Sequence, residues 1–152
     1  MIKEYELFIN EAQTPYLKEV KGYEYSEEFL KNPEMIFHFL KDSFNMDKKA
    51  EEEVVMLALN TKCKPLGAFS VFKGTINASL FNPRELILRA VLTGAAYLVV
   101  AHNHPSGVLD PSKEDIQAAK RIKDAALLMG MDLLDFLIIK DGYFSFKEED
   151  RI

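Results

Sequence analysis

The feature that most constrains this chain is an apolar run that ends in two histidines. The run AYLVVA, residues 96–101, is followed by His102, one asparagine and His104, and then by the turn residues Pro105-Ser-Gly107. This pattern is typical of a central strand buried on both faces. Because side chains two apart on a strand point to the same side, we expect both histidines to face one point. The crevice beyond the carboxyl ends of such strands is where open α/β sheets usually bind ligands.

A helix signal follows in PSKEDIQAAKRIKDAALLMG, residues 111–130. Ser112 is the predicted N-cap, and Gly130 is predicted to end the helix. Asp115 falls in the first turn, from where its carboxylate could turn back toward the histidines. The apolar residues expected along one face of this helix are Ile116, Ala119, Ile122, Ala126 and Leu127.

Strand and helix signals alternate along the rest of the chain. Strands are predicted over residues 5–9, 16–26, 54–62, 65–74, 131–140 and 142–147, and helices over 32–44 and 82–95. The pattern predicts an α/β fold in one domain, with a mixed central β-sheet flanked by helices. Residues 1–50 are expected to add N-terminal strands and a helix to that domain.

Composition excludes several classes of protein. The net charge of -5 argues against broad affinity for the phosphate backbone of nucleic acids. The only cysteine, Cys63, rules out an internal disulfide, a zinc ribbon and a CxxC redox pair, and we interpret it as a structural thiol. With no signal-like N-terminus and no apolar run of about 20 residues, a soluble cytoplasmic protein with no membrane partner is expected.

Two interpretations of the histidine segment compete. Two imidazoles and one carboxylate form a three-ligand set that leaves one tetrahedral position open, which is the plan of a catalytic zinc site. Alternatively, SKED is a capping box in which Ser112 and Asp115 satisfy backbone donors and need no metal. Spacing favours the metal site, because two of the chain's three histidines share one strand face. The third, His38, lies in a helix and is expected to pack or to lie on the surface.

The segment HNHPSGVLDPSKED fits H-x-H-P, six residues, S-x-x-D, and resembles JAB/MPN+ (JAMM) metal-dependent peptidases. The longer block KGTINASLFNPRELILRAVLTGAAYLVVAHNHPSGVLDPSKEDI resembles the bacterial RadC family, and the similarity extends over residues 52–147. This resemblance implies a JAB/MPN (cytidine deaminase-like) fold, with residues 51–152 as the RadC-like part. It also implies Zn²⁺ as cofactor. The implied zinc ligands are His102, His104 and Asp115, and Ser112 would help to hold the oxyanion.

The resemblance further implies a glutamate general base just before the first strand of the RadC-like part. The run AEEEVVMLAL offers three glutamates, residues 51–53. Aligning the apolar run with the family pattern selects Glu52, and Glu53 is the alternative because an error of one residue would move the assignment. The triple could also be a solvated charge run at an element boundary.

Some residues depart from the RadC pattern or invite structural roles. Asn82 stands where RadC sequences usually have histidine, and it suits a helix N-cap. Gly74 is predicted to permit a tight turn, and Arg84 to pair with an acidic side chain. Residues 1–50 lack the glycine-rich helix-hairpin-helix module of many RadC proteins, which weakens the case for DNA binding.

The sequence therefore predicts a zinc-dependent hydrolase of peptide or isopeptide bonds, with a peptide or protein as its substrate. Glu52 would act as the base, and Ser112 would assist at the oxyanion. One alternative is a non-catalytic protein-binding MPN module, although the complete ligand set argues against it. The other is a DNA-repair accessory protein, as the RadC label suggests, although the acidic chain makes a nucleic-acid partner a poor match.

Overall fold

The computed structural model describes residues 1–26, 28–74 and 82–152. Residues 75–81, which form part of the RadC-like block, lie outside this range. In chain order, the elements of the described residues are β1 (Ile2–Ile9), β2 (Pro15–Tyr23), α1 (Pro33–Phe44), β3 (Glu53–Leu59), β4 (Pro65–Lys73), α2 (Pro83–Thr93), β5 (Tyr97–Asn103), α3 (Lys113–Leu128), β6 (Asp132–Ile139) and β7 (Tyr143–Ser145).

The strands form one mixed sheet in the order β2-β1-β4-β3-β5-β6-β7. Strand β3 lies antiparallel to both β4 and β5, whereas β5 and β6 are parallel and are connected through α3. Strands β6 and β7 pair in an antiparallel manner and form a hairpin that turns at Asp141 and Gly142. The α/β fold with a mixed central sheet is therefore confirmed, and β5 is central as predicted.

Both faces of the sheet are covered, which explains the continuous apolar runs in its central strands. On β3, the side chains of Val54, Met56 and Ala58 pack in the core that contains α2 and α3. The intervening Val55, Leu57 and Leu59 pack in a second core with α1. Since strand side chains alternate between faces, each odd or even position on β3 and β5 has a defined side of the sheet.

The helix N-termini are capped as the sequence indicates. The side chains of Asn32, Asn82 and Ser112 accept hydrogen bonds from backbone N–H groups in the first turns of α1, α2 and α3, respectively. Helix α2 ends at Gly94, whose φ of 70° favours glycine. These caps fix where each helix starts, and for α3 this point adjoins the two histidines.

The predicted buried face of α3 needs a correction. Ala119, Ile122 and Ala126 are buried as expected, but Ile116 and Leu127 are 41% and 53% exposed. The buried stripe is instead completed by Asp115 and Ala118. Asp115 occupies an interior position at which hydrophobic patterning predicts an apolar residue. Its carboxylate can be buried there because it has polar partners.

The N-terminal residues contribute to the same sheet. Strand β1 pairs with β2 in an antiparallel manner and with β4 in a parallel manner, and α1 covers the face of the sheet opposite α3. Cys63 is a free, partly buried thiol, and Arg84 pairs with Glu85 at 3.4 Å, as predicted. Among the described residues, no helix is both long and apolar enough to cross a membrane.

Candidate metal and catalytic centre

The two histidines lie where β5 ends. His102 is within the strand, paired with Val54 of β3, and is 2% exposed. It shares its strand face with Leu98 and Val100, so its imidazole lies on the side of the sheet covered by α3. His104 follows the strand, and its backbone N–H donates to the carbonyl of Ile139 at the end of β6. The imidazole centroids are 5.1 Å apart, which confirms that the two rings share one side.

The carboxylate of Asp115 contacts both imidazoles. Its Oδ1 lies 3.1 Å from His102 Nδ1, and its Oδ2 lies 3.0 Å from His104 Nε2. Asp115 is fully buried, at the first turn of α3. The fold thus brings a strand end and a helix start together, so that two imidazoles and one carboxylate converge.

The capping box is also present. The Ser112 hydroxyl accepts from the Asp115 N–H at 3.1 Å, and the backbone N–H of Ser112 donates to Asp115 Oδ2 at 2.8 Å. The hydroxyl of Ser112 donates to the same oxygen at 2.9 Å. The capping and clustering interpretations are therefore compatible, since one carboxylate serves both arrangements.

These contacts set the ionisation of Asp115. Burial favours the neutral acid, but hydrogen bonds from His102, His104 and Ser112 outweigh it and hold the pKa of the carboxyl well below its usual range. The carboxylate is therefore ionised near neutral pH. A buried, ionised carboxylate of this kind is suited to binding a cation.

The protonation of His104 follows from its two partners. Its Nδ1 lies 2.7 Å from the carbonyl of Val108, which can only accept, so Nδ1 carries a proton. The hydrogen bond with Asp115 raises the pKa of His104, burial opposes this, and the Val108 carbonyl adds to the increase. Hydrogen bonding of one ring nitrogen to a carbonyl is the usual way in which a metal-ligating histidine is oriented.

Glu52 and Glu53 point to opposite faces of the sheet. Glu52 has the same parity as Val54, and its Oε2 lies 3.8 Å from His102 Nε2. Glu53 faces the α1 side, where its buried carboxylate accepts from Ser70 at 2.5 Å and pairs with Lys49. Of the two candidate bases, only Glu52 therefore lies beside the histidine cluster.

The donor set fits a metal ion. Ligand atoms from His102, His104 and Asp115 lie within 4.8 Å of one another. Two buried atoms next to them, His102 Nε2 and Glu52 Oε2, have no hydrogen-bond partner among the described residues. In a neutral imidazole, a proton on Nδ1, the nitrogen that faces Asp115, leaves an unshared lone pair on Nε2. Unpaired buried acceptors are rare, and a bound cation is one group that would satisfy them.

A cavity of about 300 Å³ is lined in part by Glu52, but by none of the three clustered residues. The side chain of Glu52 is 26% exposed, and its Oε2 lies 3.8 Å from His102 Nε2. The lining residues are Lys49, Ala50, Glu51, Glu52, Glu53 and Lys73. The Glu52 side chain is therefore partly accessible to solvent, while its Oε2 is buried near the imidazole of His102.

Comparison with known families supports the resemblance seen in the sequence. Residues 30–151 match the family model described as the RadC-like JAB domain. The chain belongs to the RadC family. The matched region begins before α1 and contains all three clustered residues, together with Glu52 and Ser112. The RadC-like match thus covers most of the sheet and both elements that carry the site.

Curated relatives carry the name UPF0758 protein. One from Clostridium perfringens (strain ATCC 13124) is 37% identical over 140 residues, which cover 91% of this chain and 61% of the relative. One from Aquifex aeolicus (strain VF5) is 38% identical over 121 residues, which cover 79% of this chain and 51% of the relative. The RadC-like chain therefore spans about half to three-fifths of the length of these relatives.

Sequence reasoning assigned no role to Asn103, the residue between the two RadC-motif histidines. The structure places its side chain in the interior, where it bonds to the backbone on both sides of Glu52. The available signal was a polar residue at the end of a buried strand, which requires internal partners. His38, by contrast, is half-exposed on α1 and lies 3.9 Å from Glu34, as a surface residue was expected to be.

Proposed function

We propose that this RadC-like domain is a zinc-dependent hydrolase of peptide or isopeptide bonds. The observation that carries the proposal is the pairing of a buried His-His-Asp cluster with an unpartnered carboxylate oxygen, Glu52 Oε2, 3.8 Å from His102 Nε2. Membership of a JAB-type family supports the same chemistry. Three protein ligands next to a carboxylate are the plan of zinc hydrolases that use a glutamate base.

His102, His104 and Asp115 would hold the zinc ion. When bound, zinc would act as a Lewis acid that polarises the substrate carbonyl and makes a water molecule acidic enough to lose a proton near neutral pH. The protein's contribution is to keep the three donors converged in a buried position. The capping box fixes Asp115, and the carbonyl of Val108 fixes the ring of His104.

Glu52 would act as the general base and then as the general acid. Its Oε2 would accept one proton from the attacking water while the water oxygen bonds to the carbonyl carbon. The same carboxyl would then donate that proton to the leaving nitrogen as the C–N bond breaks. The lack of a hydrogen-bond partner for this oxygen favours the role, because its lone pairs are not committed to other groups.

Ser112 would have two roles: it would orient the carboxylate of Asp115, and it would help to stabilise the oxyanion. Its backbone N–H and hydroxyl orient the Asp115 carboxylate. Because Ser112 is exposed, its hydroxyl could instead donate to the developing oxyanion of a bound substrate. A peptide or protein substrate suits the acidic chain better than a nucleic acid, since -5 of net charge repels a phosphate backbone.

The test begins with metal-free protein prepared by chelation. After zinc is added back, the protein should contain one zinc ion per chain, as measured by inductively coupled plasma mass spectrometry. The reloaded protein should cleave a mixture of fluorescence-quenched peptides or a lysine isopeptide. Glu52→Gln should lower turnover by about 10²–10⁴-fold, because general acid–base catalysis contributes that much, and should leave zinc bound.

Glu51→Gln is the matched control, because Glu51 is an exposed neighbour in the same run. Its turnover should equal that of the unmodified chain. Zinc binding without cleavage of any probe would contradict the hydrolase proposal and favour the non-catalytic, protein-binding alternative. If the protein does not bind zinc, the proposed zinc site itself is wrong.

A further inference from the structure

The side chain of Asn103 lies on the opposite face of β5 from His102. It shares that face with Val99 and Ala101, which pack in the core that contains α1. Asn103 is 1% exposed, so its amide has exchanged water for internal partners. A buried amide in an apolar core is stabilising only if those partners are well placed.

Both ends of the Asn103 amide bond to the chain segment that carries Glu52. Its Nδ2 donates to the carbonyl of Glu51 at 3.0 Å, and its Oδ1 accepts from the N–H of Glu53 at 2.6 Å. The residue between those two backbone groups is Glu52. One side chain thus holds the backbone on both sides of the candidate base.

A third contact fixes the same segment from the neighbouring strand. The N–H of Gly74, just after β4, donates to the carbonyl of Glu52 at 2.8 Å. The peptide group between Glu52 and Glu53 is therefore held through its oxygen by Gly74 and through its nitrogen by Asn103. Its rotation would break at least one of these hydrogen bonds.

This support lies at a weak point of the sheet. Strand β3 begins only at Glu53, and its pairing with β5 ends at Val54 opposite His102. At Glu52 the regular ladder between β3 and β5 no longer fixes the backbone. The Asn103 amide supplies the missing connection, so the position of Glu52 depends on a side chain that emerges between the two histidines.

We propose that Asn103 is a positioning residue that holds Glu52 at the distance and angle from the His102–His104–Asp115 cluster that proton transfer needs. The inference rests on the proposed function of Glu52 as the base. Because Asn103 is covalently flanked by His102 and His104, the same strand end that presents the imidazoles also places the carboxylate. Displacement of a catalytic group by about 1 Å can cost about 10²-fold in rate, so such support has a measurable effect.

The side chain of Glu53 strengthens this assignment. Its carboxylate is engaged by Lys49 and Ser70 on the α1 side, so it anchors the same segment and cannot replace Glu52 at the cluster. Loss of the Asn103 amide would leave the Glu53 side chain anchored but would free the backbone groups on both sides of Glu52. The expected result is a displaced Glu52 in a chain that is still folded.

The experiment compares Asn103→Leu, which removes both hydrogen bonds, with Asn103→Asp, which keeps an oxygen to accept from the Glu53 N–H. Amide hydrogen exchange should become faster at Glu53 in the leucine variant, and much less so in the aspartate variant. In crystals of the zinc-loaded leucine variant, Glu52 Oε2 should move away from its position 3.8 Å from His102 Nε2. Zinc affinity should stay within about threefold of the unmodified chain, because His102, His104 and Asp115 are untouched.

Turnover of the fluorescence-quenched peptide mixture gives the functional readout. The leucine variant should lose about 10²-fold in kcat with little change in KM, and the aspartate variant should recover part of that loss. Ser145→Ala is the control for general destabilisation, because it breaks a buried hydrogen bond between β7 and Asp135 of β6, which is not part of the cluster. It should leave kcat unchanged.

An unmoved Glu52 in the leucine variant would overturn the positioning role, whether or not any peptide is cleaved. Equal kcat in an active enzyme whose Glu52 has moved would overturn it as well. Another outcome is that the unmodified chain cleaves no probe peptide while Glu52 still moves as expected in the leucine variant. In that case the proposed function fails, and the structural support of Glu52 by Asn103 stands. The two proposals can therefore fail separately.

Discussion

Asp115 Oδ2 accepts hydrogen bonds from both the backbone N–H and the hydroxyl of Ser112, at 2.8 and 2.9 Å. The same oxygen lies 3.0 Å from His104 Nε2, and the second oxygen contacts His102. The helix cap therefore orients a carboxylate that also belongs to the histidine cluster. A single S-x-x-D segment accounts both for the start of α3 and for one member of the candidate metal site.

Replacement of Ser112 by alanine should weaken both the N-cap of α3 and the orientation of the Asp115 carboxylate. Loss of the N-cap should lower the free energy of unfolding by about 1 kcal/mol. Loss of the hydroxyl bond to Asp115 should weaken zinc binding by about 10-fold or more, as is usual when a group that orients a metal ligand is removed. Thermal melting and competition with a chelator measure the two effects.

The control for this variant is Asn32→Ala, at the N-cap of α1, where the lost hydrogen bond is to the N–H of Met35. It should cost a similar free energy of unfolding and leave zinc affinity unchanged. Equal zinc affinity in Ser112→Ala and in the unmodified chain would show that the cap does not orient Asp115 for a metal.

Zinc should stabilise the folded chain through His102. At free zinc about 100 times the dissociation constant, the gain in the free energy of unfolding should be about 2.7 kcal/mol, because the ion binds the folded state. His102→Ala should abolish most of this gain, measured as the shift in melting temperature on adding zinc.

His38→Ala is the matched control, since it removes a half-exposed imidazole on α1 that lies outside the cluster. The zinc-dependent shift should survive in that variant. Loss of the shift in His38→Ala, or its persistence in His102→Ala, would place the bound ion elsewhere.

The strand periodicity explains how far the site could be predicted from the sequence. The spacing of His102 and His104 at the end of one strand predicted their common side, and the S-x-x-D segment predicted the start of α3. The candidate base was harder to choose between Glu52 and Glu53, because a register error of one residue moves a side chain to the other face of the sheet. Only the pairing of Val54 with His102 shows that Glu52, and not Glu53, faces the cluster.

Features that depend on contacts between distant parts of the chain could not be predicted from the sequence. The hydrogen bonds between the Asn103 side chain and the backbone of Glu51 and Glu53 join residues about 50 positions apart, and no local pattern predicts them. The parallel pairing of β1 with β4 is non-local in the same way. The error at Ile116 arose because hydrophobic periodicity cannot anticipate a buried ionised residue such as Asp115 next to it.

Another buried carboxylate, that of Asp135, is expected to give the stability of the chain a pH dependence that does not involve the cluster. It accepts from the Ser145 hydroxyl at 2.6 Å and from the N–H of Lys147 at 3.1 Å, and so ties β6 to the C-terminal segment. Burial raises the pKa of Asp135, and these hydrogen bonds offset only part of the increase. The folded chain therefore keeps the Asp135 proton at pH values where the unfolded chain has lost it.

The Asp135 contribution to stability should be fully present below the unfolded pKa, about 4, and should decline as the pH rises through the higher folded pKa. Asp135→Asn mimics the protonated acid and does not titrate, so it isolates this effect from other carboxylates. The free energy of unfolding of the unmodified chain minus that of the variant, from urea titrations at a series of pH values, should fall over this interval and then level off. A difference that rises with pH would mean that the folded chain prefers the ionised carboxylate, and that its hydrogen bonds outweigh burial.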